Sequence, residues 1–440
     1  MLRSAISKGV TSEVGKGAVL ASICDDDTVR DELNKLWRQH QYQLSPWGDL
    51  PFGGIMAQAC RARKTAGEVF IRRIPVAMTF GLQLPFQLQV LESEFCPMGL
   101  NKKLSETRRI VQGVEFNGVR KAAIWLHRRH PTDSVDGTTI SLTDLVRVPI
   151  RDIIHHFSAS RPGQVRGEPD TSAALLKDKV FADYSDAELN RKLTRSGFTG
   201  FLYRDGFGDE DLEFDPQTGK RLFEDEDGES VEPPPADSET VQAGTILRGM
   251  AGEKLELFPG DQGGGYAEFA KWQVQQLAAA MDIPYPLLSG DWDGLSDRTI
   301  RAILNEYRRG VAADQTNLMG YQVCLSVWQW VVESAILTGK ISAPGFATNP
   351  WRYYALDIRH DSWRHLHPEQ EQNASKKAVE NMVSNPEREA AERGTDLIDN
   401  MKATARSVRR WKEICKEEGI DPSEVSAFNT MNTEKEKQAE

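Results

Sequence analysis

Apolar and polar residues change their spacing several times along this chain, and each change marks an element. Over the first 66 positions the spacing is helical: VRDELNKLWRQHQ is polar with spaced apolar residues, and PFGGIMAQACRARKTAG restarts after Pro51. Strand-like runs follow. EVFIRRIPVAMTF and FQLQVLESEF are rich in branched and aromatic residues, GVEFNGVRKAAIWLH holds an FNG turn between apolar stretches, and LVRVPIRDIIHHF reads as a further strand. Residues 1–160 therefore predict an α+β domain built on an antiparallel sheet.

After residue 167 helical spacing returns in TSAALLKDKVFADYSDAELNRKLTRSGFTGFLY, whose apolar positions include Leu175, Val180, Leu189 and Leu193. This predicts a long, largely exposed rod. A charged stretch closing in VEPPPADSE reads as an extended connector, and GTILRGMAGEKLELFPGDQGGG as strand and turn. Within residues 266–339 three helices are expected, broken at DIPYPLLSGDWDG and near Gly320. The most membrane-like run, LMGYQVCLSVWQWVVESAIL, is interrupted by Gln322, Gln329 and Glu333, each costly in hydrocarbon, so it reads as a long buried helix. Beyond Pro350 a short aromatic strand, WRYYALDIRH, precedes polar helices over residues 367–418. No internal repeat is visible.

The length, 440 residues with 39% apolar content, suits two or three domains of about 150 residues each with a real core. Five scattered cysteines form no CxxC pair, which fits neither a disulfide framework nor a zinc knuckle and points to a reducing, intracellular origin. The N-terminal MLRSAISKGVTSEVGKGAVL has no continuous apolar core with a cleavage site, so it does not read as a secretory signal. Charge changes the picture more. The net charge is -11, but residues 205–240 hold fourteen Asp and Glu against Lys220 and Arg221, a local net of -12, so the rest of the chain is near neutral.

Candidate chemistry is sparse. His360, Asp361, His365 and His367 fall within HDSWRHLH, but this matches neither HExxH nor a paired HxH with remote carboxylates, so histidines of a domain corner are expected rather than a metal site. The acidic run lacks the alternation of a calcium loop. There is no GxxxxGK[ST], no complete dinucleotide fingerprint around Gly15 to Gly17, and no GxSxG elbow. The loop RPGQVRG carries Arg161, Gly163, Arg166 and Gly167. Pro162 removes a donor N–H that a phosphate cradle would use, so a structural corner is expected, with arginines bonded to carboxylates or carbonyls. Further on, helical spacing places Ile300, Ile303, Leu304, Tyr307 and Val311 on one side and Arg298, Arg301, Asn305, Arg308 and Arg309 on the other. That arginine stripe is either a solvated face or a sequence-blind contact with phosphates.

Taken in order, AISKGVTSEVGKGAVL, FQLQVLESEF, GVEFNGVRKAAIWLH, VPIRDIIHHFSASRPGQVRG, WQVQQLAAAMDIPYPLLSGD and SDRTIRAILNEYRR resemble the lambda-type phage portal protein family, and KEICKEEGIDPSEV resembles its C-terminal part more loosely. Two features depart from the family. Members carry an extra segment before the AISK-like helix, which implies a late start or a truncated reading frame here. Their Tyr-Ser pair before the long arginine helix is replaced by Leu295-Ser296-Asp297, leaving Ser296 or Asp297 to cap it.

The resemblance implies a portal-type α+β subunit of a homo-oligomeric ring, typically dodecameric, at one capsid vertex of a phage or prophage. Such a ring joins head to tail. It docks the terminase large subunit, contacts the major capsid and head-completion proteins, and lets double-stranded DNA pass non-specifically. The subunit would be found in the virion and, during assembly, in the host cytoplasm, with no membrane role, no cofactor and no enzyme activity of its own. On that pattern residues 1–167 are a mixed wing domain, 168–265 a stem helix and small α/β clip with the acidic insert 205–240, 266–345 the stem return and tunnel helices, and 346–440 a C-terminal wing strand and helical crown. Arg298, Arg301, Arg308 and Arg309 would face the DNA channel or a neighbouring subunit. Near neutrality suits a conduit, since each phosphate contact adds drag. The rival readings are a metal-dependent hydrolase using the residue 360–367 cluster and a soluble adaptor with an acidic docking segment.

Overall fold

The computed structural model describes residues 1–129, 144–197, 200–204, 223–224, 230–231, 253–257, 265–361, 363, 368–393 and 395–419. The fold is mixed α+β, and the chain divides into two compact units, one of residues 1–174 and 278–440, the other of residues 175–277.

The first unit begins with α1 (Leu2–Val14), β1 (Val19–Ser22), α2 (Asp27–His40) and α3 (Phe52–Ala66). α2 starts where it does because the Asp26 carboxylate accepts from the Thr28 and Val29 N–H groups at 3.0 and 3.2 Å, and it buries Val29, Leu33 and Trp37 on one face. Strand β1 was not expected within the helical opening; it pairs with a strand near the other end of the sequence, below. α3 ends at Gly67, whose φ of 88° is a left-handed cap.

Two antiparallel sheets follow. β2 (Glu68–Pro75) lies between β3 (Phe86–Glu92) and β9 (Ile153–Phe157). β4 (Lys102–Lys103), β5 (Arg108–Val111), β6 (Val114–Asn117), β7 (Arg120–His127) and β8 (Leu145–Pro149) form a meander in sequence order. The run LVRVPIRDIIHHF is thus two strands in different sheets, divided at Pro149 by a short 3-10 turn over Ile150–Asp152. Between the sheets, Phe70, Leu91, Cys96, Ile124, Leu126, Val148 and Ile153 make one apolar core.

The same unit continues through α6 (Tyr285–Ser289) and α7 (Asp297–Asp314), a π-helical segment (Gln315–Cys324) and α8 (Leu325–Leu337). There is no break at Gly320. Its carbonyl accepts from the Leu325 N–H, five residues on, so the wider turn carries the helix through. Two polar residues of this apolar stretch are employed: the Gln322 amide bonds both the N–H (3.2 Å) and the C=O (3.0 Å) of Phe157, standing in for a further strand at the β9 edge, and Glu333 meets Arg73 at 3.1 Å and the Tyr354 hydroxyl at 3.1 Å. Among the described residues no helix is long and apolar enough to cross a membrane. Trp328 of α8 is fully buried edge-on to Trp37, which meets Phe52 in turn. After α9 (Trp351–Tyr354), β14 (Leu356–Arg359) pairs antiparallel with β1, Val19 opposite Arg359, and α10 (Pro368–Glu380), α11 (Pro386–Glu392) and α12 (Leu397–Glu418) complete the unit.

The second unit contains most of α4 (Ser172–Gly197) and α5 (Tyr266–Ala280), together with β10 (Gly200–Arg204) paired to β13 (Glu253–Leu257) and β11 (Phe223–Glu224) paired to β12 (Ser230–Val231). The two helices run antiparallel. Lys177 reaches Gln276, and eight positions on, Ser185 meets the Tyr266 hydroxyl, while Tyr184 packs on Phe269 at 4.6 Å.

At the entrance to α4 two glycines touch. A Cβ on Gly167 would fall 2.0 Å from the Gly67 carbonyl oxygen, and one on Gly67 would fall 2.5 Å from the Glu168 carbonyl carbon. Gly167→Ala is therefore expected to cost about 3 kcal/mol or more of stability. Denaturant titration measures it; a loss below about 1 kcal/mol would mean that the two backbones separate readily.

Candidate functional site

Arg166 and Glu68 occupy the joint between the two sheets. Both side chains are buried. The Arg166 guanidinium donates to Glu68 Oε1 (2.6 Å from Nε, with a second contact from Nη2) and to the carbonyls of Cys96 (3.0 Å), Gln112 (2.8 Å) and Ser93 (3.1 Å). The other carboxylate oxygen accepts from the Gly167 N–H at 3.0 Å and from His155 Nε2 at 2.7 Å. Lys121 donates to His155 Nδ1 at 3.2 Å, so the ring proton sits on Nε2. Burial pushes the His155 pKa down to about 4, against the pull of Glu68, and the ring is neutral at pH 7. For Glu68, burial opposes ionisation, but the bonds it receives from His155 and Arg166 outweigh that and hold it at about 2.

The rest of the loop is different. Arg161 is exposed, Gly163 has a φ of 79° with open space around it, and the Gln164 amide ties the turn together by accepting from the Ser160 and Arg161 N–H groups and donating to the Arg166 carbonyl. Neither Gln164 nor Glu68 stood out in the sequence.

A second buried carboxylate, Glu13, ties α1 to α3 through Arg63 at 2.6 Å and Lys64 at 3.0 Å, and Lys64 reaches Asp170 at 3.4 Å. Burial, together with the charge of Glu13, raises the pKa of nearby Asp314. Above this cluster lies a cavity of about 920 Å³, lined by Ile6, Ile303, Tyr307, Val311 and Asp314 among others. The apolar side of α7 borders that space rather than a filled core: Val311 is buried, and Ile300, Ile303, Leu304 and Tyr307 are half-buried.

The arginines of α7 have separate surroundings. Ser296 caps the helix, accepting from the Thr299 N–H at 3.2 Å. Arg298 is exposed. Arg301 bonds Asp297 one turn back at 2.6 Å, Arg308 lies over the Trp363 ring at 5.6 Å, and Arg309 pairs loosely with Glu306 at 3.5 Å, both ends exposed.

His360 and Asp361 turn to different partners. His360 is bonded to the Gln315 backbone, with burial lowering its pKa, while the Asp361 carboxylate accepts from the Lys16 N–H at 3.4 Å. Among the described residues no group of three or more His, Cys, Asp or Glu could hold a metal ion. His365, His367 and nearly all of the acidic insert 205–240 lie outside the described residues.

The chain belongs to the phage portal proteins of the lambda family, whose family model matches residues 1–315. It is similar to a "Probable portal protein" of Halomonas phage phiHAP-1 (isolate -/Gulf of Mexico/-/2001), with 24% identity over 365 residues, 79% of this chain. The match spans 64% of that relative's length. Three solved structures are similar, each over 90% of this chain and 89% of theirs: the neck of an empty gene transfer agent (GTA) particle computed with C6 symmetry (13% identity, TM-score 0.48), the virion of the native GTA particle (13%, 0.45), and the neck of the native particle computed with C12 symmetry (12%, 0.46).

The buried histidines give the first unit a pH dependence. His40, His155 and His156 each fall to about 4, burial being the main cause, against about 6.5 in the unfolded chain. Below that unfolded value only the unfolded state takes the protons, so stability present above about pH 6.5 is lost as pH falls toward 4, by roughly 1 kcal/mol per pH unit for each ring. Glu68, with a folded value of about 2, adds a further loss between its ordinary carboxylate range and that value. Denaturation midpoints from pH 7 to pH 5 should drop steeply, and a flat profile would contradict the neutral buried rings.

Proposed function

We propose that the protein is a subunit of the homo-oligomeric ring through which phage DNA enters and leaves the capsid at its portal vertex. Family membership supports this reading, and α4 is the observation that carries the assembly. Within its own unit α4 turns Asp178, Phe181 and Ser185 toward cover. Leu175, Leu189 and Leu193 lie on one flank of that face and Leu176 and Val180 on the side turned away from it, all between 57% and 75% exposed. A single helix with two separated apolar flanks is suited to a head-to-tail contact, in which one flank of each copy meets the opposite side of the next; repeated by rotation, such a contact closes a ring.

In this ring, residues 1–167 form the wing, 168–265 the stem helix and clip, 266–345 the stem return and tunnel helices, and 346–440 the C-terminal wing strand and crown. The loop carrying Arg161, Gly163, Arg166 and Gly167 is the corner between wing and stem. Twelve copies, the terminase large subunit, and the major capsid and head-completion proteins complete the assembly, which forms in the host cytoplasm and stays in the virion. The role is structural and needs no cofactor. Double-stranded DNA passes without sequence preference, and Arg298, Arg301, Arg308 and Arg309 give it weak contacts.

Light scattering after gel filtration is expected to give a mass many times 49.3 kDa, and Leu176→Asp with Leu189→Asp to reduce it to one copy. A monomer that persists at high concentration and in varied salt overturns the ring. Replacing the four α7 arginines by Gln should leave the assembly intact and slow packaging, because weak phosphate contacts vanish while the apolar side is untouched. Normal packaging by that ring would remove them from the DNA path.

A further inference from the structure

The chain is acidic overall, yet residues 101–129 hold eight Lys and Arg against only Glu106 and Glu115. The tertiary structure gathers most of that charge at one place. β4, β5, β6 and β7 are neighbours in that order, and the Gly118 N–H donates to the Thr107 carbonyl at 2.7 Å, so the β4–β5 and β6–β7 turns lie side by side. In one row Lys103 stands opposite Arg109 and Arg109 opposite Phe116; in the next, Arg108 stands opposite Asn117 and Asn117 opposite Arg120. With strands about 4.8 Å apart, the four strand ends span about 15 Å.

Part of this charge is answered from within. Buried Glu115 takes Arg108 at 2.5 Å and Arg147 at 2.7 Å, and Lys121 is turned to His155 and, at 4.7 Å, to the Phe157 ring. Arg109 lies over the Phe116 ring at 5.7 Å. Lys102, Lys103 and Arg120 are exposed and have no carboxylate partner among the described residues. Lys103 directly opposite Arg109 is a like-charge cross-strand pair, which weakens the sheet until an anion lies between them.

We propose that these two adjoining hairpin tips bind the phosphate backbone of double-stranded DNA, as a second contact beyond the α7 arginines. The choice of DNA as occupant rests on the portal reading. Charge complementarity supports it: DNA presents one negative charge per about 1.7 Å of helix axis, dense enough to engage several cations within 15 Å at once. The β6–β7 apex itself is Gly118 and Val119, the latter 92% exposed, neither with a hydrogen-bonding side chain, so the contact runs through the flanking cations to phosphates.

The test uses the full-length protein and a fluorescent duplex of about 30 base pairs of mixed sequence, titrated by polarisation between about 50 and 200 mM salt. Lys102→Gln, Lys103→Gln and Arg120→Gln together should reduce the salt slope by about 0.9 per lost phosphate contact, so that the affinity lost across this range shrinks by about 40-fold. Exchanging Lys for Arg and Arg for Lys at the same positions should restore the parent slope, which separates charge from folding. An unchanged slope in the Gln variant overturns the proposal, as does a poly-glutamate peptide that displaces the duplex at equal charge concentration, since it marks an acidic protein partner. Light scattering on the same samples keeps the two readings apart. Rings whose slope ignores the Gln substitutions remove the tip contact and leave the ring, whereas a monomer whose DNA binding depends on those residues removes the ring and leaves the contact.

Discussion

The buried ion pair of Glu68 and Arg166 is the constraint around which the first unit is arranged. Taking a carboxylate and a guanidinium out of water is costly, and the pair holds only if every remaining lone pair and N–H finds a partner. Here the partners are the means of assembly. One guanidinium gathers the carbonyls of Ser93, Cys96 and Gln112, from the segment after β3 and the β5–β6 turn, while Glu68 at the start of β2 holds His155 of β9 and the Gly167 N–H. Both sheets and the strand leading to the loop therefore meet at one charge pair. A lysine could not replace this arginine, because the planar fork addresses four acceptors at fixed angles whereas an ammonium has three mobile donors.

Close packing of backbone around that pair explains the glycines. Gly67 and Gly167 let two chain segments approach until their main-chain atoms touch, which brings the Gly167 N–H to the carboxylate. The neutral His155 belongs to the same balance: with Lys121 and Arg166 on its sides, a third positive charge there would have one carboxylate for three cations. Buried Glu115 follows the same rule on a smaller scale, both its oxygens answered by Arg108, Arg147 and the Trp125 indole, whereas Glu13 meets Arg63 and Lys64 through one oxygen and its Oε1 is left without a hydrogen bond among the described residues.

Charge in this protein is segregated more than its total reveals. The acidic insert accounts for the net charge, and the meander sheet is basic at its hairpin tips. Under the proposed portal function, such a division would attract some surfaces of partners and DNA while holding none of them tightly.

What the sequence determined by itself was local. The cap of α7 at Ser296, the FNG turn of the β6–β7 hairpin, the helical spacing of α4 and α7, the antiparallel α+β character and the family resemblance all rest on neighbours within a few positions or on ordered motifs. Tertiary structure alone decided the pairing of Val19 with Arg359, the division of LVRVPIRDIIHHF between two sheets, the π-helical passage through Gly320, the choice of Glu68 as the acceptor for Arg166, and the gathering of basic residues at two adjoining tips. Periodicity reports which face of an element is apolar, but the partner of a strand edge or a buried charge is selected among many distant groups by the geometry of the closed chain, and no local spacing encodes that selection.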